Sequence, residues 1–170
     1  MSRTISKIAL GTVQFGLEYG VTNNSGQVSF EETKCVIELA RKYGIDTLDT
    51  AIAYGNSEEV LGEIGVDDWN VITKIPNAQL GIDNIDFWLK QQLKRSINRL
   101  GVERLYAVML HSTSVLSSDY GSKYWNALKE LKQQGFIKKI GYSIYNPVSY
   151  THLRAHETLM NLVCRLLLEK

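Results

Sequence analysis

Two cysteines in 170 residues, Cys35 and Cys164, are too few and too far apart for the disulfide framework of a small secreted domain. A reduced, cytoplasmic protein is the expectation, with Cys35 on the buried side of a helix. No apolar run approaches the roughly 20 residues that span a bilayer, and Met1 to Gly11 lacks the apolar centre of a secretory signal. A membrane partner is not expected. Charge of one sign is missing too: 19 basic residues stand against 18 acidic, which leaves no field to steer a polyanion, so nucleic acid is not an expected partner. What remains is the composition of an ordinary globular protein, 44% hydrophobic and 22% charged, long enough for one domain or part of one.

Short strand-like runs alternate with longer stretches of helical period, the pattern of a parallel sheet with crossover helices. Lys7 to Thr12 is strand-like, and Ser29 with Glu32 three positions on forms a capping box before a helix carrying Val36, Leu39, Ala40 and Tyr43. Gly44 follows where a left-handed residue ends a helix. A second strand, Asp46 to Ala51, leads into a helix with Val60, Leu61 and Ile64, capped by Asn56 or Ser57. A third strand, Asn70 to Pro76, precedes a helix with Leu89, Leu93, Ile97 and Leu100 on one face, closed by Gly101. Leu105 to Leu110 and a helix with Tyr124, Leu128 and Leu131 make a fourth unit, and Lys138 to Tyr145 begins a fifth.

Five such units suit a doubly wound sheet or a (β/α)8 TIM barrel. The placement of reactive side chains favours a truncated barrel: Thr12, Asp49, Tyr54, Lys74, His111 and Ser143 all sit at or just after strand C-terminal ends, which converge on one mouth in a barrel. The G-x-G-x-x-G loop of a dinucleotide-binding sheet is also missing; Gly11-Thr-Val-Gln-Phe-Gly16 stands in its place. Gathered at a mouth, Asp49, Tyr54, Lys74 and His111 have separate tasks. An ammonium beside a tyrosine stabilises its phenolate and makes its proton easier to give. Lys74 would supply that charge, Asp49 would keep the lysine protonated, and His111 would donate a hydrogen bond to a substrate oxygen while Tyr54 protonates it. Taken singly, each residue is more often structural: a histidine or lysine at a strand end, a packed tyrosine, an aspartate satisfying backbone amides. Four reactive types at one end of three consecutive strands is the stronger signal.

Asp49-Thr-Ala-Ile-Ala-Tyr54-Gly55 resembles the D-T-A-x-x-Y-G signature of the aldo-keto reductases, and Leu10-Gly11-Thr12, Ile72-Thr73-Lys74 and Leu110-His111-Ser112 resemble the family's first, lysine and histidine strands. The resemblance covers residues 1 to about 147. It implies NAD(P)H-dependent reduction of an aldehyde or ketone, with NADPH or NADH as cofactor and a small carbonyl substrate, sugar-derived compounds being one class. It implies Tyr54 as general acid, Lys74 and Asp49 as the pair that tunes it, His111 as the group orienting the carbonyl, and Thr12, Asp49 and Ser143 on the nicotinamide side. One departure is Ile144, where many members carry asparagine after the serine.

The complete barrel needs about 250 residues, so the 170 present make about five units. Residues 148–170 resemble no part of the family and look like translated sequencing-adapter DNA, expected to be helical or disordered. His152 and His156 lack the adjacent glutamate of either zinc-protease helix motif, so no metal is expected. Five strands would leave two open edges and expose apolar inner faces at Ile8, Leu48, Ile72 and Val108, so the chain as written is expected to be an inactive fragment. Two alternatives stand beside the reductase: a Schiff-base aldolase or lyase with Lys74 as nucleophile, and a non-catalytic fragment or interaction module.

Overall fold

The computed structural model describes residues 8–77, 82, 84–116, 118 and 120–143. The elements run β1 (Leu10–Gly11), α1 (Val13–Gly16), α2 (Phe30–Lys42), β2 (Thr47–Asp49), α3 (Ser57–Ile64), β3 (Asn70–Ile75), α4 (Ile85–Leu100), β4 (Leu105–Leu110), a 3-10 turn (Thr113–Val115), α5 (Gly121–Gln133) and β5 (Ile137–Tyr142). All four strand pairings are parallel, and the strands lie in the sheet in the order of the chain. A doubly wound sheet reverses strand order at a switch point; here no reversal occurs, so the sheet is an arc of a (β/α)8 barrel. Residues 148–170, with His152, His156 and the proposed foreign tail, lie outside the described residues, as does Ile144. Among the described residues no helix is long and apolar enough to cross a membrane.

Local signals account for the helix ends. Ser29 Oγ accepts from the Glu32 amide, and Asn84 does the same for Phe87 at the start of α4. Gly44, at φ 77°, and Gly101, at φ 65°, take the left-handed conformation that stops α2 and α4. At α3 the capping expectation is corrected: Asn56 holds the N-cap position but makes no cap bond, its Oδ1 accepting instead from Gln27, while Ser57 turns inward and is fully buried.

Alternation along the strands divides the side chains between two faces. Leu48, Val71, Ile75, Val108, Leu110 and Ile140 join Ile37, Leu61, Leu89, Leu93, Leu128 and Leu131 from the helices in one core. Each fully buried leucine there contributes about 1.5–3 kcal/mol. Ile72, Ala107 and Met109 form a separate cluster with Tyr106. Leu48 and Val108 therefore face the helices, contrary to the expectation that they line the inner face; Ile72 belongs to the other cluster, and Ile8 is exposed. A second correction concerns α2. Its buried residues are Thr33, Ile37 and Ala40, whereas Cys35, Leu39 and Tyr43, spaced four apart on a flank of the helix, are exposed.

Helices α3 and α4 touch backbone to backbone at Gly62, where a Cβ would fall 1.9 Å from the Arg99 carbonyl oxygen. Gly62→Ala should therefore force the pair apart and lower unfolding free energy by about 1–3 kcal/mol, as overpacking does. Urea denaturation measures it; a change under about 0.5 kcal/mol would show that the helices separate freely.

Candidate active site

The sheet's ladder runs one residue past several strand ends, and this fixes the mouth. Thr12 donates its amide to Asp49 O (3.1 Å), Thr50 to Ile72 O (2.8 Å), His111 to Ile75 O (2.9 Å) and Ser143 to Leu110 O (2.8 Å). The β2–β3 register pairs Asp49 with Ile72, so Asp49 and Lys74, two residues further along β3, share a face.

Lys74 is 1% exposed. A buried ammonium costs several kcal/mol unless its protons are accepted, and here three acceptors meet it: Asp49 Oδ1 at 2.6 Å, Thr50 O at 3.0 Å and Tyr54 Oη at 3.3 Å. Tyr54 reaches that position from a tight loop. Its amide donates to Ala51 O and its carbonyl accepts from Ser57 N, both at 3.0 Å. Gly55, at φ 56°, and Gly16 press the loop against the end of α1: a Cβ on Gly16 would lie 1.8 Å from Tyr54 O, and one on Gly55 would lie 2.2 Å from Gly16 O. No other residue type fits either place.

His111 completes the group. Its ring stands edge-on to that of Tyr54, with centroids 6.0 Å apart. Burial pushes the imidazole below its ordinary 6.5, the Lys74 charge pushes the same way, and Asp49 opposes them. At neutral pH the ring is therefore uncharged and keeps one N–H to donate. Thr12, Ser57 and Thr50 form a buried hydroxyl chain behind the site. Thr12 Oγ1 donates to Asp49 O at 3.2 Å, Ser57 Oγ donates to Thr12 O at 3.0 Å, and Thr50 and Ser57 hydroxyls lie 3.3 Å apart. Thr12 is fully buried and Ser143 nearly so.

The structure thus brings Asp49, Tyr54, Lys74 and His111 together, with Thr12 directly behind Asp49 and Ser143 at the next strand end. Sequence reasoning missed Ser57, Thr50 and Glu58. Ser57 reads there as a candidate helix cap and Thr50 as an interior residue of the strand Asp46 to Ala51, while Glu58 carries no assignment from sequence; it is 2% exposed. Among the described residues no three His, Cys, Asp or Glu side chains gather as a metal site would require.

An arc of a β/α barrel with a tyrosine, a buried lysine–aspartate pair and an imidazole at its mouth defines a class that can give a proton to a carbonyl oxygen. The sequence profile of the Aldo/keto reductase family matches residues 7–164, and the chain belongs to that family. The match passes residue 147, where the residue-by-residue resemblance ends. An aldo-keto reductase of a Mycobacterium species is 30% identical over 129 residues, 73% of this chain and 44% of the relative. D-arabinose 1-dehydrogenase of Saccharomyces cerevisiae is 25% identical over 158 residues, 86% of this chain and 45% of the enzyme. A crystal structure of a Pseudomonas aeruginosa protein assigned to the aldo-keto reductases superposes with a TM-score of 0.68 at 31% identity, covering 82% of this chain and 56% of the other. The chain spans less than half the length of these two curated relatives.

The electrostatics of His111 are open to measurement. NMR titration of the imidazole should give a midpoint below 6.5, and Lys74→Met should raise it, because one of the two influences that lower it is removed. A midpoint unmoved by Lys74→Met would separate the two side chains electrostatically. The stability consequence has a definite sign. Since the unfolded imidazole binds its proton at higher pH than the folded one, His111 disfavours the fold as pH falls from about 6.5 to its lower folded midpoint, by a constant amount below that, and has no such effect above 6.5.

Proposed function

We propose that the full-length protein reduces an aldehyde or ketone to an alcohol with NAD(P)H, Tyr54 being the general acid. The observation that carries this reading is the contact of Tyr54 Oη with Lys74 Nζ at 3.3 Å, the lysine itself buried and held by a buried Asp49 at 2.6 Å. The ammonium stabilises negative charge on the phenol oxygen as its proton leaves. The uncharged His111 N–H donates to the carbonyl oxygen and orients it toward Tyr54.

The donor set at this mouth fits a nicotinamide. Ser143 offers a hydroxyl at the end of β5 for the carboxamide, and Asp49 lies on the same face. Thr12 spends its hydroxyl on the Asp49 carbonyl, so its part is to hold Asp49 in place. A reduced nicotinamide, when bound, supplies the hydride; the residues of this chain orient the carbonyl and deliver the proton. Sugar-derived aldehydes or ketones are one substrate class in keeping with the relative named for D-arabinose. A nicotinamide enzyme with two cysteines in 170 residues suits the reducing cytoplasm.

The Schiff-base alternative needs Lys74 uncharged with a lone pair free to attack. Three acceptors around its nitrogen oppose that. The described residues form five strands with β1 and β5 at the edges, and we expect the activity only with the rest of a barrel in place.

In the full-length protein, Tyr54→Phe should lower turnover by about 10²–10⁴-fold, the usual contribution of a general acid, while cofactor affinity by fluorescence titration stays within about twofold. Lys74→Met should be equally damaging and the double mutant little worse, since residues acting as one unit are not additive. An active Lys74→Met enzyme would remove the tuned-tyrosine mechanism.

A further inference from the structure

Among the described residues the most deeply buried charged group that the proposed chemistry leaves unused is Glu58. Its carboxylate is 2% exposed and accepts from Thr73 Oγ1 at 2.6 Å, Ser96 Oγ at 2.5 Å and Arg99 Nε at 2.9 Å. Removing such a carboxylate from water costs several kcal/mol, the partner Arg99 itself staying partly exposed, and apolar side chains of the same volume often serve stability as well. A role in cohesion alone is thus a weak account of it.

Its neighbours in the chain point to another. Glu58 follows Ser57, which anchors the Tyr54 loop: the Ser57 amide donates to Tyr54 O, and its hydroxyl donates to Thr12 O. Thr73, its partner, precedes Lys74 and by strand alternation projects from the opposite face of β3. The two atoms whose separation matters, Tyr54 Oη and Lys74 Nζ, thus ride on different supports, the loop entering α3 and the strand β3. On the helix side of the sheet the Thr73–Glu58 hydrogen bond joins those supports. An apolar contact there would permit sliding; a charge-assisted bond of 2.6 Å fixes a distance. Ser96 and Arg99 hold the carboxylate from α4, so it does not follow the strand's motion.

We propose that Glu58 is a positioning residue that acts through Thr73 to set the depth of β3, and with it the separation of Lys74 Nζ from Tyr54 Oη. The proposal rests on Tyr54 as the proton donor. It gives Glu58 no contact with substrate or cofactor.

Thr73→Val removes the hydroxyl and keeps the branched shape, whereas Thr73→Ser keeps the hydroxyl. In the full-length enzyme Thr73→Val should lower kcat about tenfold, a small geometric displacement being enough for that, with the carbonyl KM and cofactor affinity within about twofold; Thr73→Ser should restore most of kcat. A second readout does not need turnover. With tyrosine labelled at the ring carbon bearing oxygen, and the Tyr54 signal assigned by its loss in Tyr54→Phe, the Tyr54 titration should move up by about half a pH unit or more in Thr73→Val and stay in place in Thr73→Ser, since a displaced ammonium stabilises the phenolate less. If no carbonyl compound is reduced by the wild-type enzyme, the reductase reading fails while the titration still decides the position of Lys74. A lower thermal midpoint in Thr73→Val, with kcat and the Tyr54 titration unchanged, would make Glu58 a structural staple and overturn the proposal. Should Thr73→Val fail to fold, Ser96→Ala loosens the same carboxylate oxygen, and an unmoved kcat and Tyr54 titration there would overturn it equally.

Discussion

The ion pair of Lys74 with Asp49 is the constraint around which the rest of this structure is arranged. An ammonium at 1% exposure and a carboxylate at 6% persist only if their partners come from fixed directions. Those partners belong to separate pieces of chain: Asp49 ends β2, Thr50 follows it, and Tyr54 stands on the loop beyond. A slip of one residue between β2 and β3 would turn Lys74 to the helix-facing side and Thr73 toward the mouth. The observed register, Asp49 opposite Ile72, avoids that. Register, loop shape and charge are therefore one condition rather than three.

The two faces of the sheet answer to different physics. On the helix side stability is a matter of area: Leu48, Ile75, Val108 and Leu110 lie at about 1% exposure or less against helices that supply Ile37, Leu61, Leu89 and Leu128. On the mouth side it is a matter of satisfying polar groups, since Lys74, Asp49 and the hydroxyls of Thr12, Thr50 and Ser57 are all buried. The faces meet at α3. Its first two residues belong one to each: Ser57 bonds toward Thr12 and Glu58 toward Thr73 and Arg99. Glycine makes the junction compact enough, Gly16 against Gly55 above and Gly62 against Arg99 beside it.

Much of this could be read from residue order alone, and the reason is locality. Ser29 with Glu32, and Gly101 after Leu100, signal helix ends through contacts within a turn, and all appear as expected. β4 spans Leu105–Leu110 without a residue's difference from its apolar run. The gathering of Asp49, Tyr54, Lys74 and His111 at one mouth was legible because strand C-termini share one end in any parallel sheet. What could not be read depends on neighbours distant in sequence. Leu39 and Tyr43 belong to an apolar pattern on α2, yet burial falls on Thr33, Ile37 and Ala40, because the side that joins the core of Leu48 and Leu61 is set by how the helix lies in the fold. Cys35 was misjudged for the same cause. Asn56 and Ser57 differ little as caps, and only the hydroxyls of Thr12 and Thr50 decide that serine turns inward. Glu58 is the extreme case, since its partners lie 15, 38 and 41 residues away.

Charge at the mouth adds a last step. Among the described residues the charges that meet at Tyr54 are the Lys74 ammonium and the Asp49 carboxylate, while burial and the lysine together push the His111 imidazole toward its uncharged form. Were the imidazole protonated, a second cation would sit beside the first in a half-buried position, a cost that Asp49 offsets only in part. Leaving it neutral has a chemical consequence. The strongest donors near a carbonyl oxygen would then be a phenol backed by an ammonium and an imidazole N–H, so negative charge forming on that oxygen meets donors already in place and draws a proton from the phenol. The same ammonium would thereby perform two tasks in the proposed reaction, favouring loss of the proton from Tyr54 while it disfavours gain of one by His111. In the proposed reaction a single buried charge, held by one aspartate, would thus divide the roles of acid and orienting donor between two side chains whose rings are 6.0 Å apart.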